Sequence, residues 1–195
     1  MREVLFVLLR GFAEWEASPL AAAINQSEEF CVKTVSPSLS PVRSIGGFSV
    51  NPDYDIARAM TRDFAGLLLI GGTAWRTPEA RQVAPLVERA VRQQALLGAI
   101  CDASVYLGTL GLLNGIAHTS NQLEDLQDYA GNAYTGKNLY RYQQAVRHGN
   151  IVTANGTAGL EFAKEVLLGL GVMAEDDAEQ WYRFYKLGHY AAMDR

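Results

Sequence analysis

The feature that most constrains the fold is a series of short apolar runs that alternate with segments of helical periodicity. The first run, residues 4–9, is apolar at every position. A strand of this kind has both faces buried, which is typical of a central strand in a parallel sheet covered by helices. Further strand-like runs lie at 30–35, 66–70 and 97–101.

Segments with helical spacing follow these runs. The clearest is 78–94, which has a proline near its first turn and then one apolar stripe. The predicted helices are 16–24, 78–94, 103–113, 159–170 and 176–187. Turn-forming residues predict a loop with a short hairpin at 36–49 and a β-hairpin at 145–153, and the NGT sequence at 155–157 is predicted to cap the next helix.

Strands that alternate with helices predict a doubly wound α/β fold with a mostly parallel central sheet and helices on both faces. We expect a single domain over residues 1–195, because a chain of this length buries a core without a disulfide or metal. Functional sites in such folds lie at the carboxyl ends of the strands.

Charge and cysteine content exclude several classes of protein. Seventeen Lys and Arg against 21 Asp and Glu give a net charge of −4, which argues against nucleic-acid partners and against a basic membrane-binding patch. The run at 4–9 is far shorter than the ~20 residues of a membrane-spanning helix. The two cysteines form no C-x-x-C pair, so we expect no zinc site, no disulfide framework, no metal or organic cofactor, and a cytoplasmic location.

Cys101 occupies the most informative position, where a strand ends and a helix is predicted to begin. Its sulfur then lies at the carboxyl edge of the sheet near a helix N-terminus, which lowers a thiol pKa. This is the pattern of a nucleophile elbow, in which the backbone N–H of Asp102 faces an oxyanion and Gly71 or Gly72 offers a second donor. The alternative for Cys101 is core packing, which is the interpretation we favour for Cys31.

The sequence around these residues resembles the ThiJ/PfpI family of the class I glutamine amidotransferase-like superfamily, and within it the bacterial intracellular protease and amidase members. The resemblance implies a flavodoxin-like sandwich that forms a homodimer. The motifs that carry it are GFAEWE at 11–16, SIGG at 44–47, LLIGG at 68–72, AIC at 99–101, GLLNG at 111–115, HTSN at 118–121 and NGT at 155–157.

The resemblance makes Cys101 the nucleophile and Glu16 a buried acid that hydrogen-bonds to it; the alternative for Glu16 is a charge that favours the helix N-terminus. The histidine that many members carry after the cysteine is replaced by Asp102, and a second family histidine by Asn121. Asp102 is then either an alternative acid or the cap of its helix.

Three further residues are candidates for the pocket wall: Trp75, His118 and Asn121. Trp75 follows Gly71 and Gly72 in a loop, and simple packing is an equal alternative. For His118 we favour an ordinary strand or loop histidine, because side chains alternate along a strand and it then faces away from Asn121.

Three functions are compatible with this sequence. The first is a cysteine enzyme that hydrolyses amides or peptides, or that acts on small reactive carbonyl or isocyanide compounds. The second is a redox or stress sensor that works by oxidation of Cys101. The third is a binding module that keeps the fold without the catalytic set, which the missing histidine favours.

Overall fold

The computed structural model describes residues 1–193. Its strands are β1 Arg2–Val7, β2 Phe30–Ser36, β3 Val42–Arg43, β4 Ser49–Val50, β5 Tyr54–Asp55, β6 Phe64–Leu69, β7 Leu96–Ile100, β8 Ala145–His148 and β9 Ile151–Ala154. Its α-helices are α1 Glu14–Asn25, α2 Ile56–Ala59, α3 Ala84–Arg92, α4 Asp102–Thr109, α5 Leu123–Ala130, α6 Gly159–Leu170, α7 Glu175–Leu187 and α8 His189–Met193. Short 3₁₀ helices occupy Thr73–Arg76, Pro78–Val83, Gly131–Ala133 and Lys137–Leu139.

Seven strands form one sheet in the order β5-β2-β1-β6-β7-β9-β8, and every pair except β8–β9 is parallel. The remaining strands, β3 and β4, form a small antiparallel hairpin. The predicted fold class, a mostly parallel sheet with helices on both faces, is confirmed.

The apolar run of β1 is buried on both faces of the sheet, as predicted. Leu5 and Val7 pack into the core that lies beneath α3, α4 and α5. Val4 and Phe6 pack into the opposite core, beneath α1 and α6. β1 is therefore a central strand of the sheet.

Several local predictions were wrong. The helix predicted over 78–94 is a 3₁₀ helix followed by α3, because Pro85 lacks an N–H and its ring clashes with the carbonyl four residues earlier in a continuous α-helix. The helix after Cys101 ends at Thr109, before Gly111 with its φ of +71°. The NGT sequence does not cap α6, since the Asn155 side chain accepts from Thr157 within its own turn.

The carboxyl ends of three neighbouring strands meet at one edge of the sheet. The chain leaves β1 and enters α1, which carries Glu16; it leaves β6 through Gly71 and Gly72; and it leaves β7 at Cys101. Of the helices that the structure describes, none has the length and apolarity needed to cross a membrane.

Candidate active site

Cys101 lies between the last residue of β7 and the first residue of α4, with a φ of 59° and a ψ of −134°. This conformation is uncommon for a residue with a side chain and costs about 1–3 kcal/mol. The Cys101 N–H donates to Ala154 O at 3.0 Å, and its carbonyl accepts from Ser104 N at 3.0 Å and Ser104 Oγ at 2.6 Å. Ser104 Oγ is itself 2.8 Å from Ser120 Oγ. The turn is therefore held by buried polar groups.

Glu16 lies in the first turn of α1 and is 1% exposed. Within the described residues its Oε2 has no hydrogen-bond partner. Glu16 is therefore an acidic residue in the first turn of its helix, as the alternative has it, but one that is removed from water.

Gly71 and Gly156 leave the space in which the side chains of Glu16 and Cys101 lie next to each other. A Cβ on Gly71 would lie 2.3 Å from Glu16 Oε2 and 2.5 Å from Cys101 Cβ. A Cβ on Gly156 would lie 2.9 Å from Cys101 Sγ and 3.4 Å from Glu16 Oε1. Both positions thus need a residue without a side chain.

The environment of Glu16 favours its protonated form. Burial raises its pKa from an ordinary value of 4.5 to about 7, and the nearby charge of Asp102 adds to the rise. The backbone N–H of Gly71 and the thiol of Cys101 act in the opposite direction without outweighing burial.

Burial also raises the pKa of the Cys101 thiol, and the charges of Glu16 and Asp102 add to this. The Asn121 amide and the Asp102 backbone N–H lower it. The sequence predicts a lowered thiol pKa, whereas burial and the two carboxyl groups raise it and outweigh the Asn121 amide and the Asp102 N–H. Each negative charge disfavours the other, so Glu16 and Cys101 do not titrate independently.

The Asn121 side chain forms a hydrogen bond with the Cys101 sulfur. Its Nδ2 donates to Cys101 Sγ at 3.5 Å and to Asp102 Oδ1 at 3.3 Å, while its Oδ1 accepts from Gly156 N at 2.9 Å. Asn121, which the sequence predicts as a pocket residue, lies beside Cys101. An amide does not titrate near neutral pH, so Asn121 orients the sulfur but does not take part in proton transfer.

Asp102 is neither a cap nor a free acid. The N-cap of α4 is Cys101, and no side chain caps that helix. The Asp102 carboxylate instead accepts two hydrogen bonds of 2.9 Å from the guanidinium of Arg76. That carboxylate also accepts from Asn121, and the Asp102 backbone N–H acts on Cys101 to lower the thiol pKa.

Trp75 and His118 are buried and form hydrogen bonds with groups other than the Cys101 sulfur. Trp75 is 2% exposed, donates from Nε1 to Ile70 O at 2.6 Å and packs in the core, so packing was the correct alternative. His118 is fully buried, its Nε2 lies 2.7 Å from Tyr134 Oη, and burial lowers its pKa. Gly72 has a φ of 146° and is packed against the backbone of Gly11, where a Cβ would lie 2.3 Å from the Gly11 carbonyl oxygen.

Sequence reasoning missed two residues of this site. Gly156 belongs to the visible NGT sequence, which was interpreted as a cap although it closes over Cys101. Arg76 gave no local signal, because its partners lie 26 and 49 positions further along the chain.

Substitution of Gly71 with alanine is expected to disrupt the site. The added methyl would overlap Glu16 and Cys101, so we expect a loss of about 1–3 kcal/mol in the free energy of unfolding, with altered Cys101 labelling. Gly115→Ala is the matched control, since a Cβ at Gly115 meets nothing within 4 Å. Thermal unfolding of both variants checks this, and equal midpoints would contradict the packing described.

Comparison with known proteins identifies a matching family and two relatives that span nearly the whole chain. The sequence matches the DJ-1/PfpI family over residues 2–168. A Bacillus subtilis protein named "Uncharacterized protease YdeA" is 36% identical over 196 residues, covering 100% of this chain and 96% of that protein. A second from the same organism, "Uncharacterized protease YoaZ", is 32% identical over 192 residues, covering 95% and 91%.

Two solved structures share the fold closely. A thiJ/pfpI family protein from Bacillus anthracis superposes with a TM-score of 0.90 at 29% identity, covering 98% of this chain and 93% of that one. The DJ-1 superfamily protein Atu0886 from Agrobacterium tumefaciens superposes with a TM-score of 0.85 at 34% identity, covering 96% and 99%. The likeness therefore extends over nearly the whole of each chain.

Proposed function

The chain belongs to the DJ-1/PfpI family, and on that premise we propose that it is a cofactor-independent enzyme with Cys101 as nucleophile and Glu16 as its proton acceptor and donor. The observation that carries this is the buried Glu16 carboxyl, which lies beside the half-buried Cys101 thiol and has a pKa raised to about 7. A group that titrates near the working pH is the most effective general base and acid.

The chemistry best supported is addition to a small electrophilic carbon. For a carbonyl compound, the sulfur lone pair forms the S–C bond and the carbonyl π pair moves to oxygen. The thiol proton passes to the Glu16 carboxylate and then to that oxygen, which leaves a hemithioacetal with every atom retained. In this proposal the backbone N–H of Asp102, which acts on the Cys101 sulfur, stabilises the developing oxyanion.

Complete turnover by this route consumes only water. A 2-oxoaldehyde plus water gives a 2-hydroxy acid, and an isocyanide plus water gives a formamide. In both reactions the sulfur leaves unchanged at the end, and no amine departs.

Cleavage of an amide is less well supported, although two relatives carry protease in their names. Such cleavage needs an acid for the leaving amine, which a histidine supplies in cysteine hydrolases. Of the three histidines of the chain, His118 is buried against Tyr134, His148 is exposed on the β8–β9 hairpin and His189 lies in α8. The side-chain hydrogen bond that Cys101 receives within residues 1–193 comes from Asn121.

A comparison of activity on three substrate classes tests this proposal. The purified protein is incubated with a 2-oxoaldehyde, an alkyl isocyanide and a peptide amide, and product is measured by chromatography. We expect kcat/KM for the carbonyl or isocyanide to exceed that for the amide by at least about 100-fold, the scale of one general acid–base contribution. Amide hydrolysis at a comparable kcat/KM would contradict it.

One observation favours a second candidate, a thiol redox sensor. Within residues 1–193 the Oε2 of Glu16 has no hydrogen-bond partner, which supports a proposal in which the protonated carboxyl donates a hydrogen bond to an oxidised sulfur. Two molecules of hydrogen peroxide would convert the thiol to a sulfinic acid and leave two waters. Peptide mass spectra after graded peroxide should then gain two oxygen atoms at Cys101 before Cys31 reacts; equal oxidation of the two would count against a sensor.

Other expectations from the sequence are also proposals. We propose a homodimer, a single domain over residues 1–195 and a cytoplasmic location. Sedimentation equilibrium tests the first, since a monomer at micromolar concentration would refute it.

A further inference from the structure

Arg76 forms a clamp between two helices beside the candidate site. It ends the 3₁₀ helix Thr73–Arg76, which follows the glycines at the end of β6. Its Nε and Nη2 each donate to Asp102 at 2.9 Å, and its Nη1 and Nη2 donate to Asp125 at 2.9 and 2.6 Å. The guanidinium lies over the ring of Tyr129, 4.9 Å from the ring centroid.

This clamp continues to the sulfur through hydrogen bonds. Asp102 Oδ1, held by Arg76, also accepts from Asn121 Nδ2 at 3.3 Å. The same Nδ2 lies 3.5 Å from Cys101 Sγ. The carboxylate of Asp102 and the Gly156 N–H, which donates to Asn121 Oδ1 at 2.9 Å, together set which end of the Asn121 amide faces the sulfur. Arg76 fixes that carboxylate by a bidentate pair that a lysine does not reproduce.

The clamp also determines the charge near the thiol. The charged groups that face Cys101 are Glu16 from α1 and Asp102 from α4. Arg76 supplies one positive charge to two carboxylates, so it partly offsets the negative charge of Asp102. Both effects act through Asp102.

The geometry points to Arg76 as the positioning residue for Cys101, acting through Asp102 and Asn121. This inference rests on the proposed role of Cys101 as the nucleophile. Arg76 does not touch the sulfur or a substrate; it orients the amide donor and offsets the neighbouring carboxylate.

The test is a titration of the Cys101 sulfur by ¹³C NMR, with ¹³Cβ-labelled cysteine in a Cys31→Ser background. We expect Arg76→Gln to move the Cys101 titration about one pH unit upward, which is about a tenfold smaller thiolate fraction at a given pH. Arg76→Lys keeps the positive charge but cannot form the bidentate pair, so it should reverse less than half of that upward shift. Arg81→Gln, at an exposed position of the adjacent 3₁₀ helix, is the matched control and should leave the titration unchanged.

A double-mutant cycle separates this role from a merely structural one. In an Asp102→Asn background, Arg76→Gln should shift the titration by less than about one third of its effect in the wild type, because the route through Asp102 has been removed. The same shift in both backgrounds, an unchanged titration in Arg76→Gln, or a sulfur that does not titrate in either protein would overturn the inference. Arg76→Lys provides the readout if Arg76→Gln does not fold.

Failure of this inference is distinguishable from failure of the proposed function. The titration reports the ionisation of Cys101 without any substrate. Turnover by Cys101→Ser decides whether Cys101 is the nucleophile, whatever the titration shows.

Discussion

Replacement of Cys101 with serine is expected to lower kcat/KM by a factor on the order of 10³ or more, because the serine hydroxyl is not activated by a carboxyl that titrates near neutrality. Serine matches the shape of cysteine, and Cys101 is only partly buried. The thermal unfolding midpoint should therefore change by only a few degrees. Steady-state kinetics and calorimetry on the same preparation measure the two effects.

The second cysteine supplies the control for this variant. Cys31 lies in β2, remote in sequence from the residues that contact Cys101, and is also partly buried. Cys31→Ser should retain turnover within about twofold, since the contacts described for Cys101 do not include Cys31. Full activity in Cys101→Ser would end the proposal that Cys101 is the nucleophile.

Glu16→Gln is expected to change rate and stability in opposite directions. The glutamine cannot take the thiol proton, so kcat should fall by about 10²–10⁴-fold, the usual contribution of a general base. The loss should be largest above pH 7, where the wild-type carboxyl has ionised. A stopped-flow or steady-state pH profile of both proteins measures it.

The stability effect follows from the raised pKa of Glu16. The folded protein holds the Glu16 proton up to about pH 7, whereas the unfolded chain releases it near 4.5. Stability from this group is therefore fully present below pH 4.5 and is lost as the pH rises through 7, by about 3 kcal/mol. Glu16→Gln removes that loss, so the variant should be the more stable protein at pH 8 by this order of magnitude.

Glu14→Gln is the matched control, two residues earlier on α1. Hydrogen bonds from its own backbone N–H and from the Gly46 N–H lower the pKa of Glu14, so its substitution should not stabilise the protein at pH 8. Urea unfolding at pH 4.5 and pH 8 makes the comparison. A Glu16→Gln variant that is no more stable than wild type at pH 8 would refute the buried, proton-holding carboxyl.

The sheet was predictable because its signal is local. The run at 4–9 is apolar on both faces, and the structure buries alternate β1 residues in opposite cores. The carboxyl-edge location of Cys101 follows from the same pattern. Glu16 was placed only by resemblance, because nothing in an acidic first turn indicates burial.

The remaining features depend on contacts distant in sequence. Whether Trp75 faces the site or the core is decided by its bond to Ile70 O and its packing on Tyr106. The pairing of Arg76 with Asp102 spans 26 positions. The direction of the Cys101 pKa likewise depended on how far Glu16 is buried beside it, and the strand-to-helix pattern does not encode this.

The most direct measurement is the pH dependence of Cys101 alkylation by iodoacetamide, read by peptide mass spectrometry with Cys31 as the internal reference. Glu16 ionises near pH 7 and its charge then disfavours the neighbouring thiolate, so we expect labelling of Cys101 with a midpoint above the ~8.5 of a free thiol. Glu16→Gln removes that charge and should move the midpoint to lower pH. A midpoint near 8.5 that Glu16→Gln does not move, or no labelling at all, would contradict the interaction between the two groups and favour a binding module with an inert thiol.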